Sequence, residues 1–156
     1  MDALSWSLLV VAGGSLLALG CAAAQSVWIF RQPVENPKLG KIGGFVSEGA
    51  MAFLTREYQA LVPFVLVVAA FLAVANAGVL KYQAVAFGVG ALASALAGFI
   101  GMKVATAANS RTTHAAQGGL VPALKVAFSG GSVMGMGVVG LSMLGFFIRS
   151  EEHTSE

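Results

Sequence analysis

The sequence predicts an all-α integral membrane protein with four transmembrane helices and its N-terminus outside. Three observations carry that expectation. Of the 156 residues, 57% are hydrophobic and only 10% are charged, against about 25% charged in ordinary soluble domains. The charges are segregated: residues 3–30, 58–80, 82–102 and 126–148 contain none, so all 16 charges fall in the other 61 residues. Each uncharged window reaches the roughly 20 apolar residues that a helix needs to cross a bilayer.

This composition excludes a disordered tail and a basic nucleic-acid-binding face. The single Cys21 cannot form an internal disulfide. It follows Ala18-Leu19-Gly20 with no basic residue upstream, so it reads as a small apolar side chain within a helix. The first helix, about 3–30, is too long for the apolar core of a signal peptide and starts Met1-Asp2 without a basic region. It reads as an anchor.

Pro33, Asn36-Pro37 and Gly40 then read as structure breakers. Ser47 can cap the second helix and Glu48 suits its first turn, which places that helix at about 47–80. Pro63 lies inside it and should bend it. Arg56-Glu57 is a candidate local ion pair at the membrane interface. The third helix reads as about 82–106, with the polar stretch 106–113 closing its end, and the fourth as about 120–148.

Orientation follows from the basic residues. Segment 31–57 carries Arg31, Lys38, Lys41 and Arg56, and segment 103–125 carries Lys103, Arg111 and Lys125. The second connection carries only Lys81, and the N-terminus has no Lys or Arg. Segments 31–57 and 103–125 are therefore expected in the cytoplasm.

Small residues recur at spacing four: Gly14-Ala18-Ala22, Gly90-Ser94-Gly98, Ala93-Ala97-Gly101 and Gly131-x-x-x-Gly135, with Gly137, Gly140 and Gly145 beyond. Such stripes let membrane helices approach closely. Their presence on several faces points to an assembly larger than four helices.

The residues offer little chemistry. No Asp or Glu lies within a membrane window, so the usual mark of an ion pathway is missing. Gly118-Gly119 and Gly130-Gly131 lack the Gly-x4-Gly-Lys-Ser/Thr pattern of a phosphate loop. His114 has no Cys or carboxylate at ligand spacing. Ser129, Ser132 and Ser142 have no His to activate them. Catalytic, cofactor-binding and metal-binding residues are each read as none.

The last eight residues, RSEEHTSE, break from the preceding composition. They can be back-translated as AGA TCG GAA GAG CAC ACG TCT GAA, the start of a common sequencing-library adapter. Segment 149–156, which includes His153, is expected to be non-native, with the natural chain cut near Ile148.

Three blocks resemble a known family. Residues 42–58, IGGFVSEGAMAFLTREY, resemble the second-helix signature of the membrane-integral, ion-translocating pyrophosphatases through Glu48-Gly49-Ala50, Ala52-Phe53-Leu54 and Arg56-Glu57-Tyr58. Residues 98–113, GFIGMKVATAANSRTT, resemble that family's third helix and following loop. Residues 123–140, ALKVAFSGGSVMGMGVVG, resemble its fourth. Ser129 departs from the family's Arg before Gly130-Gly131.

The resemblance implies the first four helices of a bundle of about sixteen, arranged as an inner and an outer ring and assembled as a homodimer in a bacterial inner membrane. The implied activity is a pump coupling Mg2+-dependent hydrolysis of inorganic pyrophosphate to movement of H+ or Na+ out of the cytoplasm. K+ is an activator of some members. The wording GGSVMGM at 130–136 leans toward potassium-stimulated members and hence sodium. The family's Mg2+-binding carboxylate motifs belong to later helices, and Asp2 is the only Asp here. The fragment itself is therefore expected to be inactive.

Two other readings compete. A rotor-ring proteolipid needs a mid-membrane carboxylate, which these windows lack. A non-enzymatic four-helix scaffold or assembly subunit fits the sparse chemistry but leaves the three blocks unexplained.

Overall fold

The computed structural model describes the backbone of residues 3–75 and 82–154, with side chains described within 6–74 and 83–147. Four helices account for nearly all of it: α1 (Ala3–Phe30), α2 (Pro37–Ala75), α3 (Tyr82–Ala115) and α4 (Leu120–Thr154). All four contain a span long and apolar enough to cross a membrane. Lys81 and the expected end of the second helix at residue 80 lie outside the described residues.

α1 matches the expected bounds. α2 begins ten residues earlier than the expected start at 47. The Asn36-Pro37 pair starts the helix instead of breaking structure. The Asn36 Oδ1 accepts the Lys38 N–H at 3.0 Å, and the Asn36 carbonyl accepts the Gly40 N–H at 3.1 Å. Asn at the cap with Pro at the first helical position is a favoured helix start, because proline's missing N–H would have had no partner there. The helix runs on through Pro63. Arg56 and Glu57 form no ion pair, since adjacent residues on a helix point to different sides.

α3 extends past the expected end at 106 to Ala115. The polar stretch 106–113 does not end the helix, because its hydroxyls turn inward on their own turns. The Thr106 hydroxyl donates to the Met102 carbonyl at 2.9 Å, and the Thr113 hydroxyl to the Asn109 carbonyl at 3.0 Å. A single 3-10 turn over Ala116–Gly118 follows. Gly119, at φ 116°, then reverses the chain in a conformation that only glycine adopts at low cost. α4 continues past the expected end at 148 to Thr154. Segments 31–57 and 103–125, expected as loops, are thus mostly helical.

The helices form a layer, not a closed bundle. α4 packs along both α1 and α3, α2 packs along α3, and α1 touches α3 lightly. Among the described residues α1 makes no contact with α2, its neighbour in sequence. The buried centre is small: Ala22 and Ile29 of α1, Val104 and Ala108 of α3 and Val133 of α4, flanked by Trp28 and Met136. Large apolar side chains remain exposed along every helix, among them Leu17, Phe71, Leu92 and Phe128.

Close backbone approach holds the seams together, as expected where helices cannot associate by excluding water. A methyl group on Gly130 would lie 2.7 Å from the Ala108 Cβ, and one on Gly140 would lie 2.8 Å from the Leu19 Cγ. Gly98, Gly101 and Gly140 of the small-residue stripes sit at contacts. Gly14, Gly90, Gly131, Gly135, Gly137 and Gly145 face open space instead. The α3–α4 seam uses Gly130, one residue off the Gly131–Gly135 register.

Candidate functional site

The polar chemistry gathers at one end of the layer, where α1 and α3 finish and α2 and α4 begin. Segments 31–57 and 103–125 together hold seven Lys and Arg against Glu35, Glu48 and Glu57. Among the described residues, none of these charges forms an ion pair.

Arg111 ties α3 to the end of α1. One guanidinium nitrogen donates to the Ala107 carbonyl at 2.8 Å, and another to the Phe30 carbonyl at 3.3 Å. The group stands 5.5 Å from the centre of the Phe30 ring, within cation–π range. Phe30 ends α1, so Arg111 satisfies one of the carbonyls that a helix terminus leaves without a partner. Lys125 of α4 stands 5.4 Å from the Trp28 ring, which pins the other flank of the same turn. Arg111 Nε and His114 Nδ1 are buried without a hydrogen-bond partner.

Lower in the layer, two polar contacts join the helices. The Ser132 hydroxyl donates to the Gln25 side-chain oxygen, joining α4 to α1. The Tyr58 hydroxyl donates to the Ala95 carbonyl at 2.6 Å, joining α2 to α3. Sequence reasoning missed both, along with the role of Arg111. Gln25 did carry a signal, as the one amide side chain within the 3–30 window.

An open groove of about 380 Å³ runs between α3 and α4, lined by Ala105, Asn109, Thr112, Ala127, Gly130 and Gly131. It offers hydroxyl and amide groups but no charge. Of the expected serines, Ser132 is engaged with Gln25, and the Ser129 carbonyl accepts the Ser132 hydroxyl at 3.1 Å. The side chain of His153 lies outside the described residues.

These residues do not fit a magnesium–pyrophosphate centre. Magnesium bound with phosphates takes carboxylate oxygens. Among the described residues no three His, Cys, Asp or Glu gather closely enough to hold a metal ion, and Glu35, Glu48 and Glu57 are exposed.

The interhelix contacts also set the relative heights of the four helices. Gly43 faces Ser110 and Gly98 faces the Tyr58 hydroxyl across α2–α3; Gly101 faces Met134 across α3–α4; Gly140 faces Leu19 across α4–α1. By these pairings the level of Arg56-Glu57 meets Ala97, then Gly140, then Leu19. The charged and polar stretches 47–57 and 103–113 therefore stand beside the apolar stretches 19–30 and 126–139. A single flat boundary cannot serve both sides. Each Lys or Arg at the centre of a bilayer costs about 2.5–3.5 kcal/mol.

Four long apolar helices packed through small residues, with charge gathered at one end, define a polytopic α-helical membrane protein. The sequence matches the family described as inorganic H+ pyrophosphatase over residues 16–150. The chain belongs to that family. It is 40% identical over 136 residues to a K(+)-insensitive pyrophosphate-energized proton pump of Moorella thermoacetica, covering 87% of this chain and 20% of the relative. It is also 40% identical over 135 residues to a K(+)-stimulated pyrophosphate-energized sodium pump of Thermotoga maritima, covering 85% of this chain and 18% of the relative. Against a K(+)-insensitive pyrophosphate-energized proton pump of Methanosarcina mazei the identity is 36% over 130 residues, with 83% and 19% covered. The chain spans about a fifth of the length of these curated relatives.

Proposed function

We propose that this chain is the N-terminal, outer-layer part of a membrane pump driven by inorganic pyrophosphate. The pump would couple Mg2+-dependent hydrolysis to movement of H+ or Na+ out of the cytoplasm. The family match over residues 16–150 carries this reading, supported by relatives that are themselves pyrophosphate-energized pumps. In this reading the four helices scaffold the pump. The magnesium-binding carboxylates, the ion-selecting groups and any determinant of K+ activation lie in the remainder of a homodimeric bundle of about sixteen helices per subunit. The basic end faces the cytoplasm of a bacterial cell, with the bundle in its inner membrane.

Equal identity to a proton pump and to a sodium pump favours neither ion. The test is Mg2+-dependent pyrophosphate hydrolysis in matched preparations. The purified 156-residue chain is expected to release no phosphate, whereas the product of the longer gene that encodes it hydrolyses pyrophosphate and moves H+ or Na+ into inverted vesicles. Hydrolysis by the short chain, or none by the longer product, overturns the reading.

We also propose that segment 149–156 is an adapter translation. The break in composition after Ile148 and the codons that these eight residues allow support this. An independent long read of the source DNA across codon 148 is expected to continue in frame into another apolar segment. A stop after the codons for RSEEHTSE overturns the proposal.

A further inference from the structure

The charges that bound the apolar windows of α1 and α4 meet at one place. On α1 the uncharged window 3–30 ends at Arg31, and on α4 the window 126–148 begins after Lys125. The Lys125 ammonium stands 5.4 Å from the centre of the Trp28 ring. The Arg31 N–H still donates to the Val27 carbonyl at 3.2 Å, so the helical turn reaches Arg31. Trp28 and Arg31 are therefore an i, i+3 pair on one face of α1, and Lys125 lies over that face. Both cations are exposed. Among the described residues neither forms an ion pair, even with the nearby Glu35.

The same seam continues toward the bilayer, where the Ser132 hydroxyl donates to the Gln25 side-chain oxygen. Phe128 lies between Lys125 and Ser132 on one stripe of α4, i+3 from the first and i−4 from the second, and is 73% exposed. The seam thus presents two unpaired cations, then an indole, then an uncovered apolar side chain. That order matches a phospholipid at a membrane surface: cations at the phosphate, Trp at the interface and apolar surface beside the acyl chain. The uncharged windows of both helices start at this level, so hydrocarbon gives way to headgroups here along this edge of the layer. The charges of α2 and α3 stand deeper, but α1 does not touch α2 among the described residues, and helices meet a sloping boundary by tilting. Arg and Lys both suit a phosphate. A zwitterionic headgroup would bring its own cation beside Arg31, Lys125 and Arg111, which bonds to the Phe30 carbonyl. A headgroup of net negative charge brings none.

We propose that the α1–α4 seam at Trp28, Arg31 and Lys125 binds the phosphate of an anionic phospholipid, with Phe128 along its acyl chain. The proposal rests on the four helices as membrane spans and not on the pump reading.

The test places benzoylphenylalanine at position 128 in the full product of the gene that encodes this chain. The protein is held in nanodiscs of phosphatidylcholine with phosphatidylglycerol as a minor component. A second variant carries the crosslinker at position 121, one turn before Lys125 on the same stripe, in case the first fails to fold. Illumination is expected to give lipid adducts in which phosphatidylglycerol exceeds its share of the bilayer. Arg31→Gln and Lys125→Gln are each expected to lower that preference about fivefold, the worth of one basic residue at an anionic surface. Lys38→Gln with Lys41→Gln removes two charges from the same end and is expected to leave the preference unchanged. An excess of inorganic phosphate is expected not to displace the lipid. Adducts in proportion to the bilayer composition overturn the proposal, as do adducts to polypeptide in place of lipid. An equal loss in the Lys38 and Lys41 variant would mean a diffuse basic surface, and displacement by phosphate would mean a site for a soluble anion. Either result also overturns it.

Discussion

At Gly130 the α3–α4 seam has no space for a methyl group, because the Ala108 Cβ that it would meet is fixed to the facing backbone. Gly130→Ala must part the two helices, and overpacking of this kind costs about 1–3 kcal/mol. At Gly131 a Cβ meets nothing within 4 Å, so Gly131→Ala is expected to be neutral. Gly101 falls between them, since the atoms that it would meet belong to the flexible side chain of Met134. Thermal unfolding of the chain in detergent, followed by circular dichroism, should rank the midpoints Gly130→Ala lowest and Gly131→Ala equal to the parent. Equal midpoints for the two variants would contradict the seam as described. Tyr58 gives a smaller effect by the same measurement. Tyr58→Phe removes one interhelix hydrogen bond to the Ala95 carbonyl, worth about 0.6 kcal/mol on the average of such bonds in a membrane.

Neighbours in the layer are not neighbours in sequence. α1 leans on α4 through Gln25–Ser132, Trp28–Lys125 and Leu19–Gly140, and has no contact with α2 among the described residues. With Cys21 replaced by alanine, Gln25→Cys and Ser132→Cys in one chain are expected to be joined by a short bifunctional thiol reagent. Gln25→Cys paired with Met51→Cys on α2 is expected to stay unlinked. Linkage of the second pair alone would require a different helix order. This order was not legible in the sequence, because four apolar windows with small residues on several faces fit many arrangements equally well. The windows themselves were legible, since a run of twenty uncharged residues has few other homes. The start of α2 was misjudged because Asn36-Pro37 is a turn signal and a helix-start signal at once. The Gly40 N–H donating to the Asn36 carbonyl, a helical turn, distinguishes them. The end of α3 was misjudged because Thr106 and Thr113 look like loop residues until their hydroxyls bond back onto the helix.

The polarity of the whole molecule follows from where its cations stand. Seven Lys and Arg lie in segments 31–57 and 103–125, and the contact of Arg111 with Phe30 brings the two segments to one end. Basic residues close to membrane spans are retained in the cytoplasm, so this end should face inward. The test is cysteine accessibility in a background without Cys21. Glu35→Cys, in the connection between α1 and α2, and Gln117→Cys, in the turn before α4, should both resist a membrane-impermeant maleimide in intact cells and react after permeabilisation. Ser5→Cys, near the start of α1, should react in intact cells. Labelling of Glu35→Cys and Gln117→Cys from outside would invert the chain. Labelling of only one of the two would break the shared end, and with it the Arg111–Phe30 contact that holds α1 to α3. Neutralising Lys38, Lys41 and Arg31 together, while adding two Lys before Trp6, should shift part of the population to the reversed pattern, because it is the imbalance of basic residues that sets the direction.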